Sequence, residues 1–232
     1  DCAACPDMIV VPGGVFAMGS PATERGRSPG EGPQRDVTIA PFAVSVNEIT
    51  FAEWDACLAG GGCNGYSPSD RGWGRGRRPV IDVSWVDAQS YVQWLNRELG
   101  RDAYRLLTEA EWEYVARAAT TTRYAFGNTI ARAQADSGET RSDPVGSYSA
   151  NAFGLYDTHG NVWEWVQDCY AANYANATTD GTAVAPTTCN QRVYRGGGYN
   201  DRPEALRVAN RRNAAPTLRD AAIGLRVARV LP

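Results

Sequence analysis

Two carboxylates and the chain's single histidine stand close together in Asn151-Ala-Phe-Gly-Leu-Tyr-Asp157-Thr-His159-Gly160-Asn161-Val-Trp-Glu164-Trp-Val166. The stretch reads as two short apolar runs around a turn at His159-Gly160-Asn161. In an extended second run, Trp163 and Trp165 share one face while Val162, Glu164 and Val166 share the other. Glu164 is then a carboxylate among residues that favour burial, and a buried charge must be paired or coordinated. Asp157 lies across the turn. Two readings follow. Both carboxylates, with nearby carbonyls, hold a hard cation such as Ca²⁺; or the stretch is a plain hairpin in which Glu164 bonds an arginine. His159 reads as a turn residue beside that site.

The six cysteines fall into local pairs: Cys2 with Cys5, Cys57 with Cys63, and Cys169 with Cys189. An even count in such pairs points to disulfides and an oxidising, extracytoplasmic compartment. Zinc is the weaker reading, since only Cys2 and Cys5 have ligand spacing and no second pair answers them. No nucleophile elbow and no phosphate loop occurs. The net charge of −3 argues against a nucleic-acid binder. All 23 basic residues are arginine, a type suited to planar bidentate contacts. The basic group Arg71, Arg75, Arg77 and Arg78 reads as a solvated or ion-paired loop. No apolar run reaches membrane-spanning length, so no membrane insertion by this chain is expected. Because the sequence begins at Asp1 with no signal peptide, a mature form or a domain from a longer protein is expected.

The elements that would position these residues are legible in outline. Met8 to Gly19 reads as a hairpin around Pro12-Gly13-Gly14, and Asp36 to Val46 as a broken strand. Three capping boxes announce helices: Thr50 with Glu53, Ser84 with Asp87, and Thr108 with Glu111. Phe51, Trp54 and Leu58 follow the first at helical spacing; Trp85, Ala88, Tyr91, Val92 and Leu95 follow the second; Trp112, Val115 and Ala116 follow the third. Glu109, Glu111 and Glu113 read as a solvated, dipole-complementing helix start. After Thr120 helical periodicity ends, and short strands and loops follow. Helices first and irregular β later, with no linker, predict an α+β fold in one domain over 1–232.

Several segments, in order, resemble the formylglycine-generating-enzyme (sulfatase-modifying-factor) family: Met8 to Gly19, Pro79 to Ala88, Tyr104 to Tyr114, Pro144 to Ser147, Gly154 to Trp165, Arg195-Gly196-Gly197 and Gly224-Leu225-Arg226. The resemblance runs nearly end to end. It implies a C-type-lectin-like α+β fold with little regular secondary structure and structural calcium. One implied calcium site maps onto the Asp157 and Glu164 side chains with the Gly160 and Val162 carbonyls. A second falls near Asp136 and Ser137, where the loop is shortened.

The catalytic part departs from the family pattern. The enzymes carry a copper-binding cysteine pair after the Gly-Gly-Ser element. Here the sequence reads Gly196-Gly-Gly-Tyr199-Asn200-Asp201-Arg202-Pro203-Glu204-Ala205-Leu206. Asp201 stands at the first position, neither Pro203 nor Leu206 supplies the second, and no cysteine follows Cys189. A thiolate mechanism has no thiolate, so no copper is expected. The family's iron-dependent sulfoxide synthases need several histidines, and this chain has one.

What remains is a surface. Trp163, Tyr199, Asn200, Asp201, Arg202, Glu204, Asn210, Arg212, Asn213 and Arg219 are the candidate ligand-binding residues, set among the anchors Leu206, Val208, Ile223 and Leu225. This tail also resembles the ends of variable proteins of diversity-generating retroelements, which scatter changeable positions between fixed ones. The expected function is a non-catalytic ligand- or protein-binding domain, a variable protein in its sharpest form. The alternatives are an accessory domain of a larger protein and an oxidoreductase of other chemistry. The partner is a protein or a polar small ligand.

Overall fold

The computed structural model describes residues 2 and 4–231. Its strands are β1 (Met8–Val11), β2 (Gly14–Met18), β3 (Arg35–Ile39), β4 (Phe42–Ser45), β5 (Tyr104–Leu106), β6 (Trp163–Cys169), β7 (Arg192–Arg195), β8 (Arg211–Ala214), β9 (Ile223–Leu225) and β10 (Val227–Arg229). The helices are α1 (Phe51–Ala59), α2 (Trp85–Leu99) and α3 (Glu109–Arg117). This is the α+β arrangement the sequence predicts.

Each helix begins where its cap dictates. The side chains of Thr50, Ser84 and Thr108 accept from the amides of Glu53, Asp87 and Glu111, and those acids reach back to the cap residue. Gly100, with φ +72°, ends α2 in the left-handed conformation that glycine adopts without a Cβ penalty.

One sheet runs β1-β4-β10-β5, a second pairs β2 with β3, and a third runs β8-β7-β6-β9. Two expectations are corrected here. β1 and β2 do not form a hairpin: β1 pairs with β4 and β2 with β3. Nor is 151–167 a hairpin, since only β6 is extended. It pairs antiparallel with β7 and parallel with β9. In both cases a nearby turn suggested a local partner, and a distant strand supplied the hydrogen bonds.

One apolar core lies between α1, α2, residues 80–83 and the β6–β9 edge, around Trp54, Tyr91, Trp94, Trp163 and Trp165. A second lies under α3 and includes Phe42, Trp112, Val166 and Val193. The disulfides Cys2–Cys5, Cys57–Cys63 and Cys169–Cys189 form as expected, which fits an oxidising environment. Among the described residues no helix is long and apolar enough to cross a membrane.

The start of α3 corrects a third expectation. Glu109, Glu111 and Glu113 are buried. Glu109 meets Arg195 at 2.9 Å and Arg211 at 2.6 Å. Glu113 meets Arg195 at 2.6 Å and Arg117 at 2.8 Å. Glu111 meets Arg105 at 2.5 Å. Burial alone would push Glu109 up; the Arg211 and Arg195 guanidiniums overcome it and hold the carboxyl below its usual range.

Candidate functional site

Glu164, on β6, is buried as its neighbours dictated, and its partner is an arginine. Arg226 Nη2 lies 2.9 Å from Glu164 Oε1, Arg226 Nε lies 3.1 Å from each oxygen, and Trp112 Nε1 donates to Oε2 at 2.7 Å. The rest of the Arg226 guanidinium donates to the carbonyls of Ser45, Val46 and Tyr156. The pair therefore ties β6 to the end of β4 and to the turn carrying Asp157. Both Glu164 oxygens thus face donors. Of the two readings open in the sequence, the arginine pairing is the one present.

The other residues nominated for metal divide. Asp157 is buried; its Oδ2 accepts the Gly146 amide at 2.7 Å, and its Oδ1 has no hydrogen-bond partner. Both side-chain oxygens of buried Asp136 are likewise unpartnered. Burial and nearby acids raise Asp136 to about 7, and burial raises Asp157 to about 6. Gly160 has φ +97°, and a Cβ there would come within 2.0 Å of the Asp136 carbonyl oxygen, so only glycine fits. Val162 is a core residue, and Ser137 is half-buried. Among the described residues no three His, Cys, Asp or Glu side chains converge as a metal-holding group. The oxygens left without hydrogen bonds are Asp136 Oδ1 and Oδ2 and Asp157 Oδ1.

Glu48 was not singled out in the sequence. It is buried, accepting Asn161 Nδ2 at 2.6 Å and the Val162 amide at 3.0 Å. Burial, then the Asp157 and Glu164 charges, push it well above the usual carboxylate range. His159 is buried, with Nδ1 at 2.8 Å from the Leu206 carbonyl and Nε2 accepting the Ala125 amide at 3.0 Å. Burial depresses it to about 4, so the ring is neutral and serves as a fixed strut.

The ligand-binding candidates gather in part. Trp163, Asn200, Asp201 and Arg212 line one cleft of about 190 Å³ together with Tyr194, Leu218 and Asp220. Asp201, in the position the resemblance gives to the first catalytic cysteine, is locked in place. Its Oδ2 accepts Trp163 Nε1 at 2.7 Å and the Gly198 amide at 3.1 Å, and its Oδ1 meets Arg212 Nη2 at 3.1 Å. Tyr199 lies behind this floor, edge-on to Trp73. Arg202 and Glu204 are exposed on the adjoining turn, and Asn213 is half-buried on β8. Asn210 is half-buried and donates to the Ala205 carbonyl. Arg219 grips Asp87 through two bonds and lies 3.4 Å from the Tyr66 ring centre. These six lie outside the cleft. Tyr194 was missed, although its alternation with buried Val193 and Arg195 on β7 was the available signal. Among the described residues there is no free cysteine.

The basic group is largely ion-paired or bonded, as expected. Arg71 binds Asp82, Arg75 binds Asp55, and Arg77 and Arg78 donate to the carbonyls of Val145 and Ser142.

The fold defines the class. The chain belongs to the Sulfatase-modifying factor enzyme 1-like domain family, whose pattern it matches over residues 1–231. Formylglycine-generating enzyme of Streptomyces coelicolor is 28% identical over 95% of this chain and 88% of its own length. Serine/threonine-protein kinase pkn1 of Chlamydia caviae is 29% identical over 96% of this chain, which spans 38% of that relative's length. Among solved structures, PvdO from Pseudomonas aeruginosa has a TM-score of 0.90 and 38% identity, covering 99% of this chain and 96% of that one. Treponema denticola variable protein 1 has a TM-score of 0.81 and 23% identity, covering 97% of this chain and 95% of its own. The fold is thus the C-type-lectin-like one the resemblance implied. It is shared with enzymes and with a variable protein.

Proposed function

We propose that this domain is a non-catalytic ligand- or protein-binding module and that the Trp163–Asp201–Arg212 cleft is its recognition surface. The observation that carries the reading is Asp201. At the position the resemblance gives to the family's thiol stands a carboxylate already committed to Trp163, Gly198 and Arg212, while every cysteine of the chain is held in a disulfide. Such a site lacks the soft ligands that Cu(I) requires and retains an aromatic wall with fixed polar groups, which is what recognition uses. The partner is a protein or a polar small ligand met outside the cytoplasm. A screen of peptides and polar small molecules by NMR tests the assignment. Binders should shift the Trp163 indole N–H, identified by its loss in Trp163→Phe, together with the Asn200 amide. Binders that consistently perturb residues remote from this cleft would sink it.

The finer form is a variable protein of a diversity-generating retroelement. Exposed Asn200, Arg202, Glu204, Arg212 and Arg219 alternate with buried Leu206, Val208, Ile223 and Leu225, which lets the surface change while the scaffold stays. A neighbouring reverse transcriptase and a near-copy of the coding end are expected, and a gene neighbourhood without them removes this form. The chain's span of 38% of its kinase relative favours a second reading, an accessory domain of a larger protein; a gene that encodes no further domain would remove it.

We propose that structural Ca²⁺ uses the unpartnered oxygens of Asp136 and Asp157, without Glu164 as a ligand. Removing calcium with a chelator should lower the unfolding temperature of the wild type, and Asp157→Ala should abolish that shift. A wild-type unfolding temperature indifferent to the chelator would rule the ion out.

A further inference from the structure

Arg212 lies over the Trp163 ring in the lining of the cleft. It projects from β8 opposite Tyr194 on β7, with its guanidinium 4.7 Å from the Trp163 ring centre. Trp163 and Tyr194 meet edge to face at 5.2 Å and 87°, an aromatic corner in which Trp163 is 2% exposed and lies beneath Arg212. Asp201 faces that corner with one oxygen fixed by Trp163 and Gly198 and the other turned to Arg212. Asp220, exposed and accepting the Ala222 amide through Oδ1, adds a second carboxylate to the lining. The lining thus holds two acids and one base. An aromatic face beside a fixed carboxylate is the arrangement that attracts a guanidinium or an ammonium group.

Arg212 is also less committed than its neighbours Arg219 and Arg71. Arg219 and Arg71 each grip a buried carboxylate through two hydrogen bonds. Arg212 makes one, at 3.1 Å, with 47% of its side chain exposed. A half-exposed, single-bonded pair is weakly held, and vacating the cleft needs only side-chain rotation, because the β8 backbone remains paired to β7.

We propose that the cleft is a receptor for a guanidinium or alkylammonium group on the ligand and that Arg212 fills it as an internal stand-in until the ligand displaces it. This rests on the cleft being the recognition surface and names the chemistry of what it takes. Arg212→Ala removes the stand-in and leaves both carboxylates and the aromatic corner.

The probe is N-acetyl-arginine amide, titrated into the full chain while the Trp163 indole N–H is followed by NMR, with N-acetyl-aspartate amide as the anionic counterpart. Thermal unfolding of each variant verifies that it is folded. Arg212→Ala should bind the arginine probe about tenfold more tightly than wild type, with affinity falling as salt is added. Adding Asp220→Asn to Arg212→Ala should weaken it again. If Arg212→Ala gains nothing for the cation, the proposal is overturned. If wild type binds the aspartate probe and Arg212→Ala loses it, Arg212 is an anion contact, and the cation assignment fails while the cleft remains the recognition surface. Silence of both probes overturns the cation assignment alone, since a ligand of other chemistry would still perturb the same indole.

Discussion

Glu164→Gln should destabilise the protein by about 3–5 kcal/mol, because it leaves the Arg226 guanidinium buried without its counter-charge. Arg226 has no water to turn to: its side chain is 0% exposed and Glu164 is 1% exposed. The substituted amide keeps an oxygen for Trp112 Nε1 but loses the charge that Arg226 Nε and Nη2 converge on. At roughly 2–4 °C of unfolding temperature per kcal/mol for a chain of this size, the shift is large enough for a thermal melt. The double variant Glu164→Gln/Arg226→Met should be much less unstable than the sum of the two single changes, since removing both charges also removes the desolvation that each imposes. Additive effects, or a loss below about 1 kcal/mol for Glu164→Gln, would mean that the pair is not formed.

The second large effect belongs to Arg195, which joins β7 to α3. Arg195→Ala should cost about 3–5 kcal/mol. The side chain is wholly buried and bridges Glu109 and Glu113, with further bonds to the Tyr174 hydroxyl and the Val208 carbonyl. Glu109 retains Arg211 and Glu113 retains Arg117, so neither acid is stranded. The loss comes from the cavity, the broken charge-assisted bonds and an acidic excess at the helix start. Arg195→Lys should fall between wild type and alanine, because one ammonium cannot span both carboxylates as the planar fork does. Denaturant unfolding reads the series. A lysine variant equal to wild type would show that charge alone matters and that the fork geometry does not.

The sequence disclosed what is local. Thr50, Ser84 and Thr108 mark helix starts through bonds to residues three positions on, and the apolar stripes of α1, α2 and α3 follow at helical spacing. The disulfides close over short intervals and were legible for the same reason. What stayed hidden depends on partners far along the chain. Glu109 and Glu113 look identical in sequence whether they face water or a buried arginine, and Arg195 and Arg211 lie beyond β6. Glu164 announced that it needed a partner without saying which; Arg226 is supplied by the bend between β9 and β10. Strand partners failed likewise, because β1 and β6 each lie beside an inviting turn and take their hydrogen bonds elsewhere. The cleft was half legible: Asn200, Asp201 and Arg212 stood out as polar residues among anchors, while Tyr194 joins them only through the pairing of β7 with β8.

The central claim, that this family scaffold binds without transforming what it binds, is tested most directly by the mass of a cleft ligand. A compound that shifts the Trp163 indole N–H should be incubated aerobically with the purified protein, with and without added copper, and recovered for mass spectrometry. The compound should return at unchanged mass under both conditions. Any protein-dependent change of mass that disappears in Asp201→Ala would contradict the claim and make the cleft an active site.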